Sequence, residues 1–161
     1  MNGSGYNKTL ATLRLTALFA FVVALVLLAK PRPIEVAIGF FIAALGETVR
    51  FWAAGHLLKT KELITSGPYR YTRNPLYLGR VLILTGLCVM CSLPYHANWI
   101  LLVGGYAVFF LYYMPRKERV EPARLRSVHG EAYDRYFNAV PALFPTFRPY
   151  ANASNLGWSS D

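Results

Sequence analysis

Four apolar runs, residues 10–29, 34–58, 76–93 and 100–114, leave this chain few ways to fold. A helix of about 20 residues rises about 30 Å, enough to span the hydrocarbon core of a bilayer. In lipid such a run must satisfy its own backbone polar groups, which means helix. The expected fold is therefore all-α: a polytopic membrane protein with about four transmembrane helices and a C-terminal amphipathic helix. Composition agrees. Hydrophobic residues make up 55 % of the chain and charged residues 16 %, against about 45–50 % and about 25 % in soluble domains. One integral membrane domain over residues 1–150 and a disordered tail over residues 151–161 are expected. A cleaved signal peptide is disfavoured for the first run, because Ala29-Lys30-Pro31 offers no small-x-small cleavage site.

The net charge of +9 would suit nucleic acid, yet the basic residues gather between the apolar runs rather than over one soluble face. The expected partner is the lipid bilayer and not nucleic acid. Four spans put the N-terminus, the loop after the second run and the C-terminal segment on one side. That side holds Lys8, Arg14, Lys59, Lys61, Arg70, Arg73, Arg80 and seven basic residues after Pro115, fourteen against Lys30 and Arg32 opposite. The positive-inside rule then places both termini and that loop in the cytoplasm, with the chain in an inner (cytoplasmic) membrane. Oligomeric state is not specified by any of this.

Within the runs, Glu47 and Arg50 are three apart and share a helical face, where an ion pair is expected. His56 closes the second run, as a capping residue or as part of a ligand pocket. Runs three and four form a hairpin about the turn at residues 94–99, and Gly104-Gly105 is the expected place of close helix approach. Cys88 and Cys91 read as small packing residues in an apolar run, and the three histidines have no metal-ligand spacing, so no metal is expected. Past Pro122, Leu125, Val128, Ala132, Tyr133, Tyr136, Phe137 and Val140 keep the rhythm of one amphipathic helix lying on the membrane surface.

The loop after run two is richer than a connector needs to be. Gly67-Pro68 forces a turn, and Asn74-Pro75 starts a new helix at or just after Pro75. Between them lie Tyr69, Arg70, Tyr71 and Arg73, with Tyr77 one turn beyond. A short, stiff, polar-aromatic loop at a membrane surface is expected to be a ligand site.

The pattern G-P-Y-x-x-x-R-N-P-x-Y-x-G from Gly67 to Gly79 resembles the signature of the isoprenylcysteine carboxyl methyltransferase family, integral membrane enzymes related to the phospholipid N-methyltransferases. The likeness extends over about residues 45–145. Most members read Arg-His-Pro where this chain has Arg73-Asn74-Pro75. A family Glu-Glu pair precedes a G-x-x-Y-x-x-Y pattern. Here that glycine is Gly130, the first acid is Glu121, and Pro122 replaces the second. The resemblance implies S-adenosylmethionine as cofactor. It implies cofactor contacts at Lys61, Glu62, Leu63, Ile64, Tyr69, the segment Asn74, Pro75, Leu76 and Tyr77, and Glu121, with His56 and Gly67 beside them. It assigns Arg73 and Lys117 as catalytic side chains, Lys117 standing where the prenylcysteine enzymes touch the substrate carboxylate.

Methyl transfer from a sulfonium asks a protein mainly to position, to exclude water and to tolerate a vanishing cation. Glu121 suits the ribose hydroxyls, Tyr69 and Tyr77 the cationic centre, and Asn74 with the amides around Gly67 the other polar atoms. The acceptor is expected to be lipophilic. With no His or Glu clearly placed as a base, an acceptor already nucleophilic is favoured, a carboxylate of isoprenylcysteine-like or small-lipid type. The alternative is N-methylation of a phospholipid amine. More distant alternatives are a sterol-type reductase using NADPH, hinted at by Arg148-Pro149-Tyr150, and a non-enzymatic membrane scaffold.

Overall fold

The computed structural model describes residues 8–57 and 63–153. The N-terminal residues 1–7, the segment 58–62 with the candidate ligands Lys61 and Glu62, and residues 154–161 of the expected tail lie outside the described residues. Among the described residues every regular element is helical: α1 (Lys8–Leu28), α2 (Pro33–Gly55), α3 (Pro75–Met90), α4 (Ala97–Ala107), α5 (Met114–His129) and α6 (Glu131–Ala139). Short 3₁₀ turns occupy Gly67–Arg70 and Pro94–His96, and a π-helical segment, Val108–Tyr113, links α4 to α5.

Two of the stretches, Thr9–Leu28 and Pro94–His129, are long and apolar enough to cross a membrane. The 16 residues of α3 are apolar but rise only about 24 Å. The 23-residue α2 carries Glu35, Glu47 and Arg50. Two of the four expected spans thus meet the measure of a crossing helix by themselves. Helix α1 is apolar all round and exposed along its length, as a helix facing lipid would be. Just beyond its end, the amide of Lys30 donates to the Ser92 carbonyl at 3.1 Å.

The tightest packing is between α2 and α3, and glycine makes it possible. A Cβ at Gly39 would sit 2.5 Å from the Gly86 carbonyl oxygen, and one at Gly46 would sit 2.7 Å from that of Gly79. The glycines recur at seven residues on each helix, so two backbone contacts lie about 10 Å apart along an antiparallel seam. The expected seam at Gly104-Gly105 is not where helices meet most closely. Open space surrounds Gly104, and Gly105 meets only the Leu84 side chain. Glu47 and Arg50 form the expected ion pair at 2.8 Å. At the far end, Glu35 in the first turn of α2 binds the Arg32 guanidinium at 2.6 Å and accepts from the Ser92 hydroxyl, fastening α2 to the α3–α4 turn.

The fourth run does not stop at Met114. Helix continues from α4 through the π segment into α5, and Pro115 rides inside it. Proline lacks an amide and its ring crowds the carbonyl four residues back. The wider turn absorbs this, with the Met114 amide donating to Phe109 five residues earlier. Nor is the amphipathic stretch one helix. Gly130 has φ +54° and ψ −131°, a conformation open to glycine alone, and divides α5 from α6. The break turns Tyr133 and Tyr136 inward, where they form a buried cluster with Val140.

Beyond α6 the chain runs back along the loop between α2 and α3. The Arg73 amide donates to Pro141 O at 2.9 Å, the Thr146 amide to Tyr71 O at 2.9 Å, and the Tyr150 amide to Arg70 O at 3.0 Å. The Thr72 hydroxyl adds a bond to Leu143 O at 2.9 Å. This strap ties the last third of the chain to the loop.

Candidate functional site

The loop is held from beneath by His56, which caps α2 with its amide on Ala53 O at 3.2 Å. Its ring fills the space where a Cβ on Gly67 would fall, and Gly67 has φ +55°, so glycine is required twice over. The Nδ1 of His56 lies 3.4 Å from the Ser66 hydroxyl. Pro75 begins α3 as expected and is buried, with Asn74 as the preceding residue.

Asn74 does not cap α3 with its side chain. Its amide nitrogen donates to Ala142 O at 2.7 Å and to Glu118 Oε1 at 3.0 Å, and its carbonyl oxygen accepts from Lys117. Glu118 Oε2 in turn pairs with Arg73 at 2.8 Å. Lys117 also pairs with Glu121 one turn along α5. Arg73 lies 3.7 Å over the Phe137 ring. Its Nε and Nη1 are buried with no hydrogen-bond partner among the described residues.

These groups border a cavity of about 630 Å³, within the range of small-molecule sites. Leu63, Ile64, Tyr69, Arg73 and Asn74 line it from the loop side, and Lys117, Glu118 and Glu121 from α5; Tyr133 and Tyr136 of α6 close it. Of the candidate residues the structure therefore gathers Leu63, Ile64, Tyr69, Arg73, Asn74, Lys117 and Glu121 at one cavity. His56 and Gly67 lie behind the loop, and Pro75 and Leu76 are in the first turn of α3, off the lining. Tyr77 stands behind Lys117, whose Nζ is 4.8 Å from its ring centre, and its hydroxyl is 3.2 Å from that of Tyr113.

Glu118 is absent from the residues singled out above, although it binds both Arg73 and Asn74. Its spacing three residues before Glu121 puts both acids on one face of α5, a signal present in the sequence. Tyr133 and Tyr136 of α6, noted above for their pattern but given no site role, also belong to the lining. Tyr136 donates to the Tyr69 carbonyl at 2.8 Å and is buried.

Burial, with a smaller push from the Glu121 charge, raises Tyr69 to about 12. Burial likewise raises Tyr136 and Tyr133 against the pull of Arg73. All three phenols are therefore neutral donors at neutral pH. Arg73, Lys117 and Arg124 against Glu118 and Glu121 leave the lining with an excess of positive charge, which favours a ligand carrying a carboxylate or phosphate.

Comparison with known proteins bears on the same region. Over 124 residues the chain is 29 % identical to the cobalt-zinc-cadmium resistance protein CzcN of Cupriavidus metallidurans, covering 76 % of this chain and 54 % of that protein. The chain thus spans about half the length of this curated relative. No solved structure matches it. The phospholipid methyltransferase family matches residues 34–131, more than half of the chain and both the loop and α5 walls of the cavity. Its apolar helices suit a membrane protein, and the chain belongs to the phospholipid methyltransferase family.

Proposed function

We propose that this chain is a membrane methyltransferase that uses S-adenosylmethionine to methylate a lipophilic acceptor. One observation carries the reading: the loop between α2 and α3 and the acid on α5 line a single cavity of about 630 Å³. The residues present fit the cofactor. Arg73 brings to the wall buried donors that no described residue pairs, and Glu121 keeps a half-exposed carboxylate. When bound, the cofactor supplies a methyl group on a sulfonium sulfur.

The chain's own residues then have distinct tasks. Glu121 would accept from the ribose hydroxyls, and Leu63 and Ile64 would hold polar atoms largely through backbone; Lys61 and Glu62, candidates for the same task, lie outside the described residues. Tyr69 presents aromatic surface to the cation, with Asn74 on the same wall, Tyr77 behind Lys117, Pro75 and Leu76 fixing the start of α3, and His56 and Gly67 fixing the loop. Arg73 and Lys117 orient an acidic acceptor and are the catalytic candidates. The tyrosine cluster of α6 keeps water out. A cytoplasmic side for the cavity and both termini, in an inner membrane, is supported by the excess of basic residues expected on that face.

The acceptor favoured by Arg73 and Lys117 is a carboxylate, which is already nucleophilic and needs no general base. A second reading, methylation of a phospholipid amine, is supported by the family match. Titrating the detergent-purified protein with S-adenosylmethionine, S-adenosylhomocysteine and NADPH tests the cofactor: only the first two should raise its melting temperature. Labelled methyl transfer to a membrane lipid extract then identifies the product. Stabilisation by NADPH alone would overturn the proposal.

A further inference from the structure

A second recess of about 250 Å³ lies between α3 and the π segment, with Tyr77 on its lining. Tyr77, Arg80, Val81 and Leu84 supply one wall, a stripe at the i, i+3, i+4, i+7 spacing of a single helix face, and Phe109 and Tyr113 supply the other. Arg80 is its one charged residue. That side chain is exposed, lies 4.9 Å over the Tyr77 ring, and pairs with no carboxylate among the described residues.

Position gives the charge its meaning. Arg80 is five residues into α3, about 7.5 Å of rise from the loop end, and the apolar part of the recess continues about 6 Å further to Leu84. With α3 in a bilayer and the loop at its surface, that puts the guanidinium at headgroup depth and the recess at the start of the acyl chains. Gly105 keeps the far end open to this width, because a Cβ there would come within 2.8 Å of Leu84.

We infer that this recess is a seat for an anionic phospholipid, with its phosphate on Arg80 and the first carbons of one acyl chain along Val81 and Leu84. The inference rests on the membrane placement proposed above. The occupant is anionic rather than zwitterionic because the recess offers a cation and no carboxylate to a headgroup amine. It also touches the larger cavity: Lys117, on that cavity's wall, reaches the Tyr77 ring that forms this one.

The test is thermal unfolding of the detergent-purified chain with added lysophosphatidylglycerol or lysophosphatidylcholine. Wild type is expected to gain more from the anionic lipid; Arg80→Gln should lose that preference, and Leu84→Trp should lose the gain from either lipid. An unchanged preference in Arg80→Gln, or equal gains from both lipids in wild type, would overturn the assignment of Arg80. A full gain in Leu84→Trp would overturn the place of the chain. S-adenosylhomocysteine is added to the same samples, and its shift should be equal in wild type and Arg80→Gln. Loss of that shift in every sample speaks against the cofactor cavity, whereas loss of lipid preference alone speaks only to this recess.

Discussion

The side-chain amide of Asn74 donates to Glu118 at 3.0 Å across 44 residues of chain. This contact, with the Arg73 pair on the other carboxylate oxygen, sets the α2–α3 loop against α5. Cofactor and acceptor contacts proposed for the two segments are usable together only while it holds.

Glu118→Ala strands Arg73, whose side chain is only 11 % exposed. Breaking a largely buried pair by removing one partner costs about 3 kcal/mol. Glu118→Gln should cost less, because it still accepts from Asn74. Thermal unfolding in detergent checks this, and equal melting temperatures for wild type and Glu118→Ala would show that the contact is incidental.

Glu121→Ala should weaken S-adenosylhomocysteine binding by roughly 1–3 kcal/mol, the cost of leaving polar partners unmatched. Cys88→Ala and Cys91→Ala should leave the affinity as it is. Titration calorimetry reads both; the reverse pattern would remove the larger cavity from consideration as the cofactor site.

Along the α2–α3 seam, Gly46→Val should abolish folded, monodisperse protein or destabilise it by about 3 kcal/mol, as overpacking against backbone does. Gly104→Val should be tolerated, since open space surrounds that position. Size-exclusion profiles of the two variants decide it.

Tyr69 is held neutral up to about 12. An unfolded tyrosine ionises near its usual value of about 10, so the folded state binds this proton more tightly. Its contribution is complete below about pH 10 and is lost as the pH rises through about 12. Stability of wild type should fall across that window, and Tyr69→Phe should fall less. Unfolding midpoints measured along an alkaline pH series, compared between the two proteins, would expose an error if the curves ran parallel.

The starts of α2 and α3 were readable to within a residue. Proline at 33 and 75 opens α2 and α3 because a missing amide costs least in a first turn, and Glu47 and Arg50 met because three residues bring side chains to one helical face. The π segment was not readable, since Pro115 reads as a terminator until neighbouring turns widen around it. The same applies to the break at Gly130: apolar spacing of 3.6 continues across it, and only backbone angles reveal that the helix does not.

Local physics in the chain thus determined an all-helical protein and the polar-aromatic loop between two apolar runs, while the family resemblance pointed to the acid nine residues before Gly130. Tertiary structure alone decided that loop and acid share a cavity, that Glu118 joins them, and that α2 and α3 touch through Gly39, Gly46, Gly79 and Gly86. The physical reason is range. Turn and helix preferences act over a few residues, whereas these contacts depend on a strap that returns about 70 residues later to hydrogen-bond Thr72.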